Sequence, residues 1–196
     1  MTPVSRGYTW LLAVTGALGL ASSAVLTFDK LRLLQNPDYV PSCNLNPVIS
    51  CGSVMRTGQA SLLGFPNSLL GLVSFAVVLA TAAGLAAGAR YGRWYWLGLQ
   101  TGSVLGLVLV HWLIGQSLYE IGALCPYCMV VWAVTIALFW YTTLHNLRTG
   151  VLPVAPRLRP LVRELGRYHW AVPVLWYAVI ALLVLNRFWY YWRTLL

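Results

Sequence analysis

Four cysteines are the side chains with the clearest chemistry in this chain of 196 residues. Cys43 and Cys51 are separated by seven residues, and Cys125 and Cys128 form Cys-Pro-Tyr-Cys. A disulfide gains stability by closing a long loop, and a two-residue gap closes almost none, so the second pair makes a poor staple. At the first turn of a helix the free N–H groups and the macrodipole favour a thiolate, which makes a C-x-x-C placed there a redox pair. Two other readings stay open on spacing alone. The four could be two inert staples, or a four-cysteine zinc site, although the gap between Cys43 and Cys51 exceeds the about two to four residues usual between paired zinc ligands.

The elements that must position these thiols are membrane helices. Hydrophobic residues make up 59% of the chain, against four acids and thirteen Lys or Arg, and the mean hydropathy is +0.71. Residues 7–28, 57–89, 94–119, 121–147 and 168–186 run without a charge. Each exceeds the roughly 18 apolar residues that mark a spanning helix, which predicts an all-α integral membrane fold of five spans with no room for a second folded domain. The formal charge of +9 does not point to nucleic acid, because the bases sit in the short connections rather than on one wet face. There they speak of topology and of anionic lipid headgroups.

Ala21 to Ala24 (ASSA) after an apolar run could be read as a cleavage site, but the uncharged run is longer than the about 7 to 15 residues of a signal-peptide core. It reads as a retained first helix. With the N-terminus cytoplasmic, the inside segments hold Arg6, Arg90, Arg93, Arg148, Arg157, Arg159, Arg163 and Arg167, and the outside segments hold Lys30, Arg32, Arg56, Arg187 and Arg193. The positive-inside rule favours that orientation. All four cysteines then face the exoplasmic side, an oxidising compartment suited to disulfide chemistry. The first outer segment, 29–66, is broken by Pro37, Pro41, Pro47 and Pro66, with a short surface helix expected between Cys51 and Gly64. The segment 148–167 carries three prolines and five arginines and reads as a solvated cytoplasmic linker.

Cys128 is twenty residues from Leu147, about 30 Å of helix, so it lies at the outer rim of the membrane. A thiol there can meet a water-soluble partner through its neighbour and a lipid-soluble molecule through the bilayer. Cys-Pro-Tyr-Cys is also the glutaredoxin active-site sequence, but there it follows a strand in a soluble fold, whereas here an apolar helix follows with no strand before it.

Together these features resemble the vitamin K epoxide reductase family of membrane thiol oxidoreductases. The resemblance rests on Cys43-Asn-Leu-Asn-Pro-Val-Ile-Ser-Cys51-Gly, on Phe65-Pro-Asn-Ser-Leu-Leu-Gly71 opening the second helix and on Cys125-Pro-Tyr-Cys128 opening the fourth. It covers roughly residues 8–147. DsbB-type quinone reductases carry their C-x-x-C in the first outer loop and the separated pair in the second, the reverse of the order here. The resemblance implies a four-helix bundle around a quinone of the menaquinone or ubiquinone type, in a bacterial plasma membrane. It further implies electrons passing from a thioredoxin-fold dithiol partner through the loop pair to the C-x-x-C, driving disulfide formation in exported proteins. By position, Cys43 would meet the partner, Cys51 would exchange with Cys125, and Cys128 would face the quinone. Asn67 matches the asparagine that hydrogen-bonds a quinone carbonyl. Trp132 stands where animal members carry a tyrosine four residues after the last cysteine. Since no fused thioredoxin-like domain is seen, the partner is expected to be a separate protein. Reduction of vitamin K epoxide is a related activity with the same thiol chemistry.

On this reading residues 1–147 form the catalytic domain, 148–167 the linker, and 168–196 a fifth transmembrane helix and tail with a packing or anchoring role. His111 is the ionisable side chain inside a span, expected to be neutral and bonded to a neighbouring helix. Glu120 lies near Cys125 but reads as an exposed carboxylate, and His145 and His169 lie far from the cysteines. Asn67 after Pro66 also has the form of a helix N-cap. The rival class is a small transporter or scaffold with structural cysteines, which the near absence of polar midplane residues disfavours. The distribution of bases predicts an exoplasmic C-terminus. Reporter fusions at Leu196 should be active outside the cytoplasm, and activity confined to the cytoplasm would contradict the orientation.

Overall fold

The computed structural model describes residues 4–193; residues 1–3 and 194–196, which include the ends of the assigned domains and the Leu196 reporter position, lie outside the described residues. The chain forms α1 (Arg6–Gln35), α2 (Cys51–Met55), α3 (Asn67–Ala86), α4 (Arg93–Gly115), α5 (Pro126–Arg148), α6 (Arg159–Arg167), α7 (Ala171–Arg187) and α8 (Trp189–Trp192). A short 3-10 turn (Gly58–Ser61) follows α2, and α4 runs on through a π-helical turn, Gln116–Ile121. Four helices are long and apolar enough to cross a membrane: α1, α3, α4 with its extension, and α5. A fifth span is counted when α7, 17 residues long, is taken together with the segment Pro156–Arg167, which it meets at 69°. The expected all-α membrane architecture is the one observed.

Within the bundle, α1 packs along α3 and α5, and α5 packs on α4. In a bilayer this packing draws on close approach and interhelical hydrogen bonds more than on the hydrophobic effect. Gly19 shows the approach: a Cβ there would lie 2.4 Å from the Phe75 ring on α3. Thr27 on α1 donates to Ser68 on α3 at 2.8 Å. At the opposite end, Gln100 on α4 donates to Thr143 on α5 at 2.9 Å and accepts from Asn146 at 3.0 Å. Tyr8 on α1 donates to Thr142 at 2.9 Å. These polar pairs fix the inner end of the bundle, leaving the outer end to be shaped by the loop that carries the cysteines.

Three elements differ from the sequence expectation. The first helix continues through Asp29, Lys30 and Arg32 to Gln35, because no breaker occurs until Asn36-Pro37; charge marks where it leaves the lipid, not where it stops. The linker contains a 3-10 turn, Pro156–Leu158, and α6. Pro156 and Pro160 occupy first-turn positions, where the missing N–H is not needed and the fixed φ begins a helix rather than breaking one. The surface helix expected between Cys51 and Gly64 is split into α2 and the 3-10 turn.

His111 is bonded as expected. The Trp176 indole N–H on α7 donates to its Nε2 at 2.9 Å, so Nε2 is the acceptor and Nδ1 the donor to the Leu107 carbonyl at 2.9 Å. Beyond this tie, Arg187 at the end of α7 donates to the Leu118 carbonyl at 2.7 Å. Phe188 is completely buried among Val48, Leu118, Leu124 and Trp132. Phe188→Ala should therefore lower stability by about 3 kcal/mol through the cavity it leaves. Thermal unfolding of the purified protein reads this; no loss would mean that the fifth helix does not support the outer end.

Candidate functional site

The outer loop has almost no regular structure, so side-chain amides satisfy its backbone. The Asn46 Oδ1 accepts from the backbone N–H groups of Val48 (3.0 Å) and Ile49 (2.7 Å), closing a tight turn. Ser50 caps α2 by accepting from the Ser53 N–H at 3.2 Å. The Asn44 Oδ1 accepts from the Gly52 N–H at 2.8 Å. Gly52 must be glycine for this, since a Cβ would lie 2.8 Å from the Asn44 amide nitrogen. Within this frame Cys43 and Cys51 form a disulfide with a Cα–Cα distance of 5.7 Å.

A short stretch of extended chain brings the two cysteine pairs together. The Leu124 N–H donates to the Val48 carbonyl at 2.7 Å, and the Ser50 N–H donates to the Leu124 carbonyl at 2.9 Å. Among the described residues this Ile49–Leu124 bridge is the sole β pairing. Each side of the bridge leads at once into a cysteine: Ser50 into Cys51, and Leu124 into Cys125. The Cys125 thiol consequently lies 3.3 Å from the Cys51 sulfur.

Cys125 is the N-cap of α5, its sulfur accepting from the Cys128 N–H at 3.5 Å, with Pro126 in the first helical position. Cys125 and Cys128 are free thiols, the first buried and the second half-buried. The Cys125 pKa is lowered, first by the hydrogen bond from the Cys128 thiol; burial works against this, and the Cys128 and Tyr127 backbone N–H groups add to it. The outer pair is thus oxidised and the inner pair reduced, with a thiol of one in contact with a sulfur of the other.

Below this junction lies a cavity of about 720 Å³ between α1, α3, α4 and α5. Its walls are mostly aliphatic, and Asn67, Cys128 and Trp132 all line it. Trp132 is buried, and its indole N–H has no partner among the described residues. Size and lining suit an apolar molecule with a flat polar head, held by a few placed polar groups. The structure therefore brings Cys51, Cys125 and Cys128 into sequence and puts Asn67 and Trp132 at the same cavity.

Asn67 does not cap α3. It is the first residue of that helix, Pro66 is the cap position, and no side chain caps the end. Instead its Oδ1 accepts from the Leu62 N–H at 3.0 Å and its Nδ2 donates to the Gln59 carbonyl at 2.7 Å. The amide thus pins the 3-10 turn over the cavity mouth and keeps one N–H hydrogen in reserve. Gln59 continues the roof by donating to the Gln116 Oε1 at 3.2 Å. Glu120, considered for its closeness in sequence to Cys125, is exposed on the π turn.

Sequence reasoning missed Asp29. It is 4% exposed, its Oδ1 accepts from the Tyr39 hydroxyl at 2.9 Å, and its Oδ2 is buried without a partner among the described residues. The signal was available: Leu26, Asp29 and Leu33 are spaced three and four residues apart, a single helix face. The charged run around it suggested an exposed loop.

A family model described as the vitamin K epoxide reductase family matches residues 10–143. The chain belongs to the vitamin K epoxide reductase family. Family membership and the apolar helices make it a multi-pass membrane oxidoreductase. The matched span takes in all four cysteines and the bundle α1 to α5, while α6 to α8 lie beyond it. No individual curated protein matches the chain significantly.

Proposed function

We propose that this vitamin K epoxide reductase family protein drives disulfide formation in exported proteins, taking electrons from a thioredoxin-fold dithiol partner and passing them through two cysteine pairs to a menaquinone- or ubiquinone-type quinone. The observation that carries the reading is the order of sulfurs: a disulfide, a thiol 3.3 Å from it, and a second thiol lining an apolar cavity. Structural staples have no use for two free thiols at that junction.

A partner thiolate attacks the Cys43 sulfur and Cys51 leaves; a second partner thiol resolves the mixed disulfide, which oxidises the partner and reduces the outer pair. Cys51 is 0% exposed against Cys125 and Cys43 7%, so Cys43 is the more accessible sulfur and the one offered to a partner. When the inner pair is a disulfide, Cys51 attacks Cys125 and Cys128 leaves. Cys43 then attacks Cys51, regenerating the outer disulfide and leaving Cys125 and Cys128 reduced. A quinone, when bound, supplies the two-electron, two-proton acceptor and departs as the quinol. For that group the chain offers Cys128 at the cavity wall, the spare N–H of Asn67 for a ring oxygen, and the Trp132 face for ring contact. The aliphatic walls exclude water and would hold an apolar tail.

Cys125→Ala and Cys128→Ala should abolish thiol-dependent bleaching of a quinone analogue. Cys43→Ala and Cys51→Ala should spare turnover with dithiothreitol, which reaches the inner pair directly. Full activity of Cys128→Ala would overturn the reading. For the cavity, Asn67→Ala should raise the apparent quinone KM and lower the rate by an amount worth on the order of 1 to 3 kcal/mol. Thermal stability should fall as well, because the ties to Gln59 and Leu62 are lost. A folded Asn67→Ala protein with unchanged quinone kinetics would confine Asn67 to holding the loop.

A further inference from the structure

The protons of the relay need a carrier, because the junction of the two pairs is closed to water: Cys51 is 0% and Cys125 1% exposed. Leu26 and Leu33, on the same face of α1 as Asp29, pack in one cluster with Cys43, Cys51 and Cys125. Asp29 lies buried on that face, with Oδ1 held by Tyr39, which itself packs on the cluster, and Oδ2 free of any partner among the described residues. The cations nearest in sequence are committed elsewhere. Lys30 donates to the Met55 carbonyl at 2.5 Å, and Arg32 stacks on the Phe28 and Tyr39 rings. Asp29 is thus a buried acid without an ion pair among the described residues, beside a cluster of sulfurs that must exchange a proton. Its charge is the least of the influences on Cys125, whose net shift, led by the Cys128 hydrogen bond, is downward.

We propose that Asp29 is the proton-transfer residue of the outer-to-inner exchange, taking the Cys51 proton and returning it to Cys125. The inference rests on the relay proposed above. In the first step the Cys51 thiol gives its proton to the Asp29 carboxylate as its sulfur attacks Cys125. The Cys51–Cys125 bond forms, the Cys125–Cys128 bond breaks, and Cys128 leaves as thiolate. In the second step Cys43, its proton lost to water, attacks Cys51. The Cys43–Cys51 bond forms, the Cys51–Cys125 bond breaks, and Cys125 takes the proton back from Asp29. Two electrons have moved inward, the carboxylate is regenerated, and one proton has gone to water against the Cys128 thiolate. Of the other titratable groups, Tyr39 from the loop donates to Asp29, and Cys125, Tyr127 and Cys128 enter the same cluster from the start of α5.

The test uses the full-length protein oxidised with a quinone analogue, freed of it, and mixed with one equivalent of a reduced dithiol peptide. Acid quench, alkylation and mass spectrometry then follow the arrival of thiols at Cys125 and Cys128. Asp29→Asn keeps the acceptor for Tyr39 but cannot take a proton. It should slow this arrival on the order of 100-fold near neutral pH, with the gap closing at alkaline pH where Cys51 ionises unaided. In a Cys43→Ala/Cys51→Ala background, adding Asp29→Asn should leave dithiothreitol-driven bleaching of the quinone analogue unchanged, because that route bypasses the outer pair. Wild-type exchange rates and pH profile in Asp29→Asn, or an equal loss in the background lacking the outer pair, would overturn the proposal. Absence of bleaching in that background before Asp29 is changed would instead defeat the quinone relay itself. Should Asp29→Asn fail to fold, Tyr39→Phe serves: removing a donor to the carboxylate should move the acid limb of the exchange profile to higher pH, and an unmoved limb would overturn the proposal.

Discussion

The site depends on two backbone hydrogen bonds. Leu124 to Val48 and Ser50 to Leu124 tie an irregular outer loop to the residue before Cys125 at the head of α5, and both chains pass from the bridge directly into a cysteine. Thiol–disulfide exchange requires the attacking sulfur near the sulfur it attacks, a geometry that flexible loops reach only at an entropic cost. Here the cost is met in folding, by a bridge too short to be a sheet. The sulfur–sulfur approach of 3.3 Å follows from it.

An irregular loop at the membrane rim has its own difficulty, because buried peptide groups need partners that neither helix nor sheet supplies. Three asparagines answer it. Asn46 closes the turn before the bridge, Asn44 holds the start of α2 beside the disulfide, and Asn67 ties the roof over the cavity to the head of α3. Each uses a short planar amide in place of a missing ladder. The amides fix the loop's backbone from within, while Val48, Cys43, Cys51 and Met55 bury its apolar side against the helices.

The bundle was readable because uncharged runs and spanning length express the same physical limit, the thickness of the hydrocarbon. The starts of α3 at Asn67 and α5 at Pro126 were readable because proline and the motif residues mark them. What escaped was set by tertiary context. The segment 148–167 read as a solvated linker, yet Pro156 and Pro160 begin helices there, since a proline's effect depends on whether its N–H would have been used. Asn67 looked like a cap, but its amide turns back to the loop, a partner distant in pattern though only a few residues away. Asp29 looked exposed because charges surround it; only the packing of Leu26 and Leu33 against the cysteines shows which face of α1 turns inward.

The fifth helix lies beyond the span that matches the family, yet it meets the bundle at the point where the relay is held. Phe188 fills the space beside both ends of the bridge, Val48 and Leu124, in the cluster that also contains Trp132. Arg187 takes the Leu118 carbonyl on the π turn, whose N–H partners are displaced from the regular helical ladder. Two hydrogen bonds exposed to water would exchange with it readily, whereas the same two beneath a buried phenyl ring have no competitor. The added helix therefore protects the bridge by excluding solvent, in a cluster against which Cys128 also packs. Its His111–Trp176 tie deeper in the membrane sets the register that brings Phe188 to that place.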